Sequence, residues 1–146
     1  MAIEGEQEFS TEVEASITRC FNTLVDFDAY PHWSSPIQSS KVLERYPNKL
    51  ARLVEFELDM KLRTVRYVLE YVYEKPHRLV WHSADGDVES IEGSYLLEKL
   101  GAKKTHATCR QRIVLGFWVP SPIRSMLERS ALRQSVLEFK GAAERK

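Results

Sequence analysis

The side chains in this sequence best suited to metal binding or nucleophilic chemistry are four histidines and two cysteines. They are His32, His77, His82, His106, Cys20 and Cys109. No two histidines have the spacing of a metal site, and neither cysteine has a cysteine or histidine near it in sequence. Two cysteines in 146 residues do not make a disulfide framework, so we interpret both as reduced core residues. The sequence therefore predicts no metal site and no cofactor.

General acid or base catalysis has only a weak candidate, His82, besides the tyrosines. Trp81 and Val80 are both apolar, so the pattern around His82 does not decide whether the histidine faces inward or outward. Asp85, Asp87 and Glu89 lack the distal glutamate of a calcium loop and indicate a solvated turn. There is no glycine-rich phosphate loop and no Gly-x-Ser-x-Gly elbow. A catalytic residue thus stays unknown at this level.

The charge balance argues against a polyanionic partner. Lysine and arginine number 21, as do aspartate and glutamate, so no global field attracts nucleic acid or an anionic membrane. No apolar run approaches the length of a membrane span, and the acidic N-terminus lacks the pattern of a signal peptide. We expect one domain over residues 1–146, located in the cytoplasm, without nucleic acid or stable membrane insertion. The oligomeric state is not readable.

Alternating and helical periods divide the chain into a predicted strand, a short helix and a long sheet. Residues 8–13 alternate as a half-buried strand, and a helix capped by Ser16 should end near Phe27. Pro31 then favours an aromatic corner at residues 27–33. Six further strands should follow, over about residues 40–45, 54–62, 64–74, 78–83, 91–98 and 106–115. Strands this long must curl, and Gly93 is a candidate bulge or bend.

The last predicted element is a helix of about 20 residues, long enough to cross the sheet. Ser121 is a plausible N-cap, and Pro122 suits the first helical position. The fold class is therefore α+β. About seven antiparallel strands should curve around the C-terminal helix, with a short helical pair after the first strand.

This order of elements resembles the helix-grip fold of the StAR-related lipid-transfer superfamily, also called SRPBCC or START-like. The residues that carry the resemblance lie in four segments. They are Val25-Asp26-Phe27-Asp28-Ala29-Tyr30-Pro31-His32-Trp33, Pro76-His77-Arg78-Leu79-Val80-Trp81, Ile91-Glu92-Gly93-Ser94-Tyr95 and Val136-Leu137-Glu138-Phe139. Within the superfamily the chain looks most like the polyketide cyclase/dehydrase and coenzyme Q-binding branch. The resemblance covers residues 6–140 and implies a hydrophobic cavity between the sheet and the last helix.

Strand parity predicts which side chains line this cavity, because the charged parity of each strand should face water. The polar exceptions on the inner face are Tyr67, Tyr71, Tyr95 and Gln111, which need a hydrogen-bond partner when buried. Ordinary core packing is the competing interpretation for the tyrosines, for Met60 and Met126 as gap-fillers, and for Trp33 as a brace. The candidate ligand-binding residues are Trp33, Phe56, Leu58, Met60, Tyr67, Tyr71, Tyr95, Gln111, Met126 and Leu127.

Three functions remain open from the sequence. The first is binding or carriage of a hydrophobic small molecule, such as a lipid, an isoprenoid quinone or an aromatic polyketide. The second is a polyketide aromatase/cyclase or dehydratase. The third is an interaction protein of the co-chaperone or ribosome-associated toxin type.

Overall fold

The computed structural model describes residues 6–59, 63–118, 120 and 129–145, with side chains of the final helix described from residue 131. The predicted continuation of the second long strand over residues 60–62 and the predicted start of the final helix at 121–128 lie outside these ranges. Within the described residues, no helix has the length and apolar character that crossing a membrane requires.

The N-terminal part of the chain forms one strand and an aromatic corner, as predicted. Strand β1 spans Gln7–Val13, and helix α1 spans Ile17–Val25. The Ser16 side chain accepts a hydrogen bond from the backbone N–H of Arg19 and thereby caps α1. A 3₁₀ turn at Phe27–Ala29 leads into the four-residue helix α2, Tyr30–Trp33. The corner brings aromatic rings from the helical layer onto the sheet.

The remaining strands form one antiparallel sheet with β1. They are β2 Ile37–Arg45, β3 Ala51–Asp59, β4 Thr64–Glu74, β5 Arg78–Gly86, β6 Ser90–Gly101 and β7 Lys104–Val114. Their order is β1-β7-β6-β5-β4-β3-β2, so β1 and β2 are the edges. This confirms the predicted seven-stranded antiparallel sheet with short helices after the first strand. It also lengthens β5, which continues to Gly86 because Gly86 pairs with Tyr67.

The C-terminal helix, α3, is described over Arg129–Glu144. Leu132, Val136, Phe139 and Ala143 recur on one face of α3 and are buried in the core. The same core contains the buried face of α1 and the inward-facing side chains of the sheet. The predicted packing of the last helix against the sheet is therefore confirmed for the described part.

Gly93 does not mark a bulge, which corrects one expectation from the sequence. The ladders place Gly93 opposite Trp81 on β5 and opposite Gln111 on β7, and the pairing continues without a shift on either side of it. The shifts in β4–β5 and β6–β7 lie instead at Val68/Leu69 and Lys99/Gly101. Gly93 is required for another reason, which involves the cavity.

Candidate functional site

A cavity of about 200 Å³ lies between the inner face of the sheet, the aromatic corner and α3. The corner and the start of β2 contribute Tyr30, Trp33, Ser34, Pro36 and Ile37, and α3 contributes Ala131, Leu132 and Ser135. The sheet contributes Gln7, Phe56, Leu58, Val65, Tyr67, Leu69, Tyr71, Leu79, Trp81, Val88, Ile91, Tyr95, Cys109, Gln111, Ile113 and Leu115. Alternation along the strands thus brings apolar side chains from several strands to one space.

Seven of the residues predicted to bind a ligand meet in this cavity. They are Trp33, Phe56, Leu58, Tyr67, Tyr71, Tyr95 and Gln111. Met60, Met126 and Leu127 lie outside the described residues. The shared location makes the seven a plausible contact set, and their role in binding stays a prediction.

Aromatic rings form a nearly continuous wall on one side of the cavity. The Tyr71 ring centroid lies 5.9 Å from that of Trp81, and Trp81 lies 6.0 Å from Tyr95. On the corner side, the Tyr30 ring lies 4.7 Å from Trp33 and 5.7 Å from Phe56. These separations fall in the range of favourable tilted and edge-to-face ring pairs. The wall therefore holds its shape through ring-to-ring packing.

Trp81 lies directly over Gly93, and this contact explains the glycine. A Cβ atom added at Gly93 would be 2.5 Å from Cε2 and Cζ2 of Trp81 and 2.6 Å from its Nε1. Real Cβ atoms essentially never approach so closely, so any larger residue would displace the indole. Gln111 and Gln7 continue the same row across β7 and β1. The glycine thus gives the Trp81 ring its place in the cavity wall.

The indole nitrogens of Trp33 and Trp81 are buried and lack a hydrogen-bond acceptor within the described part of the chain. An indole N–H can only donate, so no rotation of its own ring turns it into an acceptor. Buried polar groups without a partner are uncommon in native proteins and often mark functional positions. Both residues line the cavity.

The tyrosine hydroxyls in the cavity are neutral groups. Burial is the main cause that raises the pKa of Tyr67, Tyr71 and Tyr95 above the ordinary value of 10.0. The Tyr30 hydroxyl donates to the backbone carbonyl of Leu24. By contrast, the hydroxyls of Tyr67 and Tyr71 have no hydrogen-bond partner among residues 6–59, 63–118, 120 and 129–145.

Cys109 is the one cysteine in the cavity lining among the described residues. Burial raises the pKa of its thiol to about 12, and its interaction with Tyr95 only partly offsets that effect. A thiol with so high a pKa is protonated at neutral pH and a poor nucleophile. Cys20 is also buried, and burial raises its pKa as well.

His82 lies on the opposite, convex face of the sheet, because Leu79 and Trp81 occupy the inward parity of β5. Its side chain is 53% exposed, and its Nε2 lies 3.3 Å from Oε1 of Glu70. Glu70 also binds Arg52, which binds Glu44 in turn. The ambiguity left by the sequence thus resolves outward, and His82 does not reach the cavity.

Several lining residues were not among the predicted ligand contacts. Leu79 and Trp81 could have been found by extending the alternation of β5 from Leu79 through Trp81 and Ser83, instead of treating that strand as ambiguous. Gln7 follows from its pairing with Gln111 across β1 and β7, which only the register shows. Tyr30 lies in the corner, where no period places a side chain.

Comparison with known proteins agrees with this architecture. Residues 13–140 match the family described as polyketide cyclase/dehydrase and lipid transport. A START superfamily protein from Mycobacterium smegmatis superposes with a TM-score of 0.84 at 20% identity, over 95% of this chain and 97% of the other. No curated protein sequence matches the chain.

Two further solved structures share the fold. The Zhui aromatase/cyclase from Streptomyces sp. R1128 superposes with a TM-score of 0.79 at 19% identity, covering 97% of this chain and 94% of the other. A protein from Thermus thermophilus gives 0.78 at 14% identity, covering 95% and 97%. These likenesses confirm the predicted START-like helix-grip fold. With the match over residues 13–140, they show that the chain belongs to the polyketide cyclase/dehydrase and lipid-transport family.

Proposed function

We propose that this protein binds a small hydrophobic ring compound in the cavity and holds it without transforming it. The observation that carries the proposal is the aromatic wall formed by Tyr71, Trp81 and Tyr95, which faces the corner rings across the cavity. Flat rings offer the surface that such a wall can contact on its faces and edges. The family and the fold support binding of a hydrophobic ligand or polyketide cyclisation in general.

Cavity size favours a compact ligand over a long chain. The space of about 200 Å³ is somewhat larger than an engineered apolar cavity of about 150 Å³ that binds benzene. One ring or two fused rings fit this volume, whereas a fatty acyl chain or a long isoprenoid tail would extend beyond it. Of the three ligand types open from the sequence, an aromatic polyketide of one or two rings fits best.

Binding is favoured over catalysis by the protonation state of the described lining. Its ionisable side chains are tyrosines and Cys109, whose raised pKa values keep them neutral at ordinary pH. A general base works best with a pKa near the working pH. The described lining therefore offers hydrogen-bond donors and an apolar enclosure, and it offers no base poised near neutrality.

Filling the cavity should abolish ligand binding. Ile113 lines the cavity and is partly buried, so Ile113→Phe adds a ring where a ligand would lie. We expect at least about a tenfold loss of affinity for a bicyclic hydrocarbon such as tetralin, measured by isothermal titration calorimetry. Native mass spectrometry of the gently purified protein should in parallel show a co-purified ligand that the variant lacks.

The matched control is Val72→Phe, which adds a ring on the exposed convex face, where Val72 is 52% exposed. It should leave tetralin binding unchanged. Binding by Ile113→Phe equal to that of the unmodified protein would place the ligand elsewhere, and absence of saturable binding to the unmodified protein would refute the proposed function.

Polyketide cyclisation is the second candidate, and the unbonded hydroxyls of Tyr67 and Tyr71 favour it. A neutral phenol can donate a hydrogen bond or a proton to a developing enolate oxygen. In that case Tyr71→Phe should lower turnover of a linear polyketide thioester at least about a hundredfold. His82→Gln on the convex face is the control and should leave turnover unchanged. Equal turnover by all three proteins, or none by any of them, would contradict the enzyme.

A further inference from the structure

We infer that the cavity selects neutral ligands that carry oxygen acceptors such as ketone carbonyls, and that it discriminates against carboxylates, amines and pure hydrocarbons. This inference rests on the proposed function, because it assigns the chemistry of the ligand in the same cavity. Its basis is an imbalance between hydrogen-bond donors and acceptors in the lining.

Four donors in the lining have no protein acceptor within the described residues. Two are the buried indole N–H groups of Trp33 and Trp81, which can only donate. The other two are the hydroxyls of Tyr67 and Tyr71, whose protons are held firmly because burial raises both pKa values. Trp81 is only 7% exposed and Tyr71 only 4%, so solvent outside the protein scarcely reaches either side chain.

The described lining provides no matching set of fixed acceptors. Gln7, Gln111, Ser34 and Ser135 can each donate as well as accept, so they add no net acceptor capacity. Cys109 is a protonated thiol and a weak acceptor. A ligand oxygen with two lone pairs would satisfy donors that the protein itself leaves unpaired. A hydrocarbon of the same shape would leave them unpaired.

Charge is excluded for a separate reason. The described lining contains no lysine, arginine, histidine, aspartate or glutamate. An ionised group transferred from water into such a space loses its hydration without gaining a counter-ion, which costs far more than one hydrogen bond returns. Fatty acid carboxylates and protonated amines should therefore be rejected even where their apolar parts would fit.

Four tyrosines divide into two that the inference involves and two that it does not. The hydroxyls of Tyr67 and Tyr71 are unbonded within the described residues, whereas Tyr73 donates to the carbonyl of Ala51 and Tyr46 donates to the carbonyl of Tyr71. Tyr73 is absent from the described lining, although its ring stacks on Tyr71 at a centroid distance of 6.1 Å. Removing the hydroxyl of Tyr73 thus controls for the loss of a phenol next to the site.

The test compares tetralin with 1-tetralone, which differ by one carbonyl group, by isothermal titration calorimetry. In Tyr67→Phe/Tyr71→Phe, 1-tetralone should bind about tenfold more weakly than to the unmodified protein, while tetralin binding stays the same or tightens. Tyr73→Phe should change neither affinity. Naphthalene-1-carboxylate, ionised at neutral pH, should bind the unmodified protein at least about a hundredfold more weakly than 1-tetralone.

A second measurement needs no variant beyond those used for assignment. In ¹H–¹⁵N spectra of the unmodified protein, 1-tetralone should shift the indole signals of Trp33 or Trp81 downfield relative to tetralin. Trp118 is 73% exposed and provides an internal reference that should not move. Equal effects of both compounds on the indole signals, with an unchanged affinity ratio in Tyr67→Phe/Tyr71→Phe, would overturn the inference and leave the proposed function intact. Naphthalene-1-carboxylate binding as tightly as 1-tetralone would overturn its neutral-ligand half, and failure of every compound to bind would overturn both proposals.

Discussion

Raising the pH above 9.0 is expected to remove several kcal/mol from the free energy of unfolding, because buried weak acids ionise more readily in the unfolded chain. Burial raises the pKa of Cys109 from 9.0 to about 12. Burial also raises the pKa values of Tyr67, Tyr71 and Tyr95 above 10.0. All four side chains are neutral in the folded protein at ordinary pH.

The sign follows from which state holds its protons more tightly. Below the pKa of the unfolded chain both states are protonated, so the stabilising contribution is fully present. As the pH rises from the unfolded pKa towards the folded one, only the unfolded state loses its proton, and folding is penalised. For Cys109 the change from 9.0 to about 12 corresponds to about 4 kcal/mol at the upper end of this interval.

Urea unfolding followed by far-ultraviolet circular dichroism at several pH values in reducing buffer would measure this loss. We expect a constant midpoint from about pH 7 to about pH 8.5 and a steep fall above that. Cys109→Ala removes one of the two buried thiols that titrate first, so its decline should be shallower until the tyrosines ionise in the unfolded chain, about one pH unit later. A midpoint that stays constant up to about pH 11 would contradict the buried, neutral state assigned to these groups.

The sheet was predictable because strand alternation and the direction of burial reinforce one another. On β3 and β4 the charged parity faces water, and Arg66 pairs there with Glu55 across the two strands. The opposite parity places Phe56, Tyr67 and Tyr71 in the cavity wall. Ser16 was equally legible, because a side-chain oxygen at an N-cap satisfies a backbone N–H that the helix leaves free.

The sequence revealed less about the cavity because its properties depend on spacing across strands. Gly93 has an ordinary strand pairing, and only its contact with the Trp81 ring explains why a side chain is excluded there. The unpaired indole nitrogens of Trp33 and Trp81 likewise depend on what lies near them in space. No periodicity in the chain reports the absence of an acceptor. Cavity volume is a small difference between packed surfaces and follows from their exact placement.

Phe27→Ala should be the most damaging single substitution in the aromatic corner, with a loss of about 3 to 5 kcal/mol in the free energy of unfolding. Phe27 is 2% exposed, and its ring lies 4.7 Å from that of Tyr71 and 5.2 Å from that of Tyr30. A third neighbour, Phe56, lies at 6.3 Å. All three neighbours line the cavity, whereas Phe27 lies behind them. Removing its ring would therefore leave a void directly behind the cavity wall.

That position makes a second, linked effect measurable. With Phe27 gone, Tyr71 and Tyr30 lose the support that fixes their rings, so tetralin affinity should fall together with stability. Phe9→Ala is the matched control, because Phe9 is only partly buried and does not line the cavity. It should cost clearly less in urea unfolding and leave tetralin binding unchanged. Equal losses of stability in the two variants would show that the corner contributes no more than an ordinary edge residue. A destabilised Phe27→Ala with unchanged affinity would show that the wall keeps its shape without support from behind.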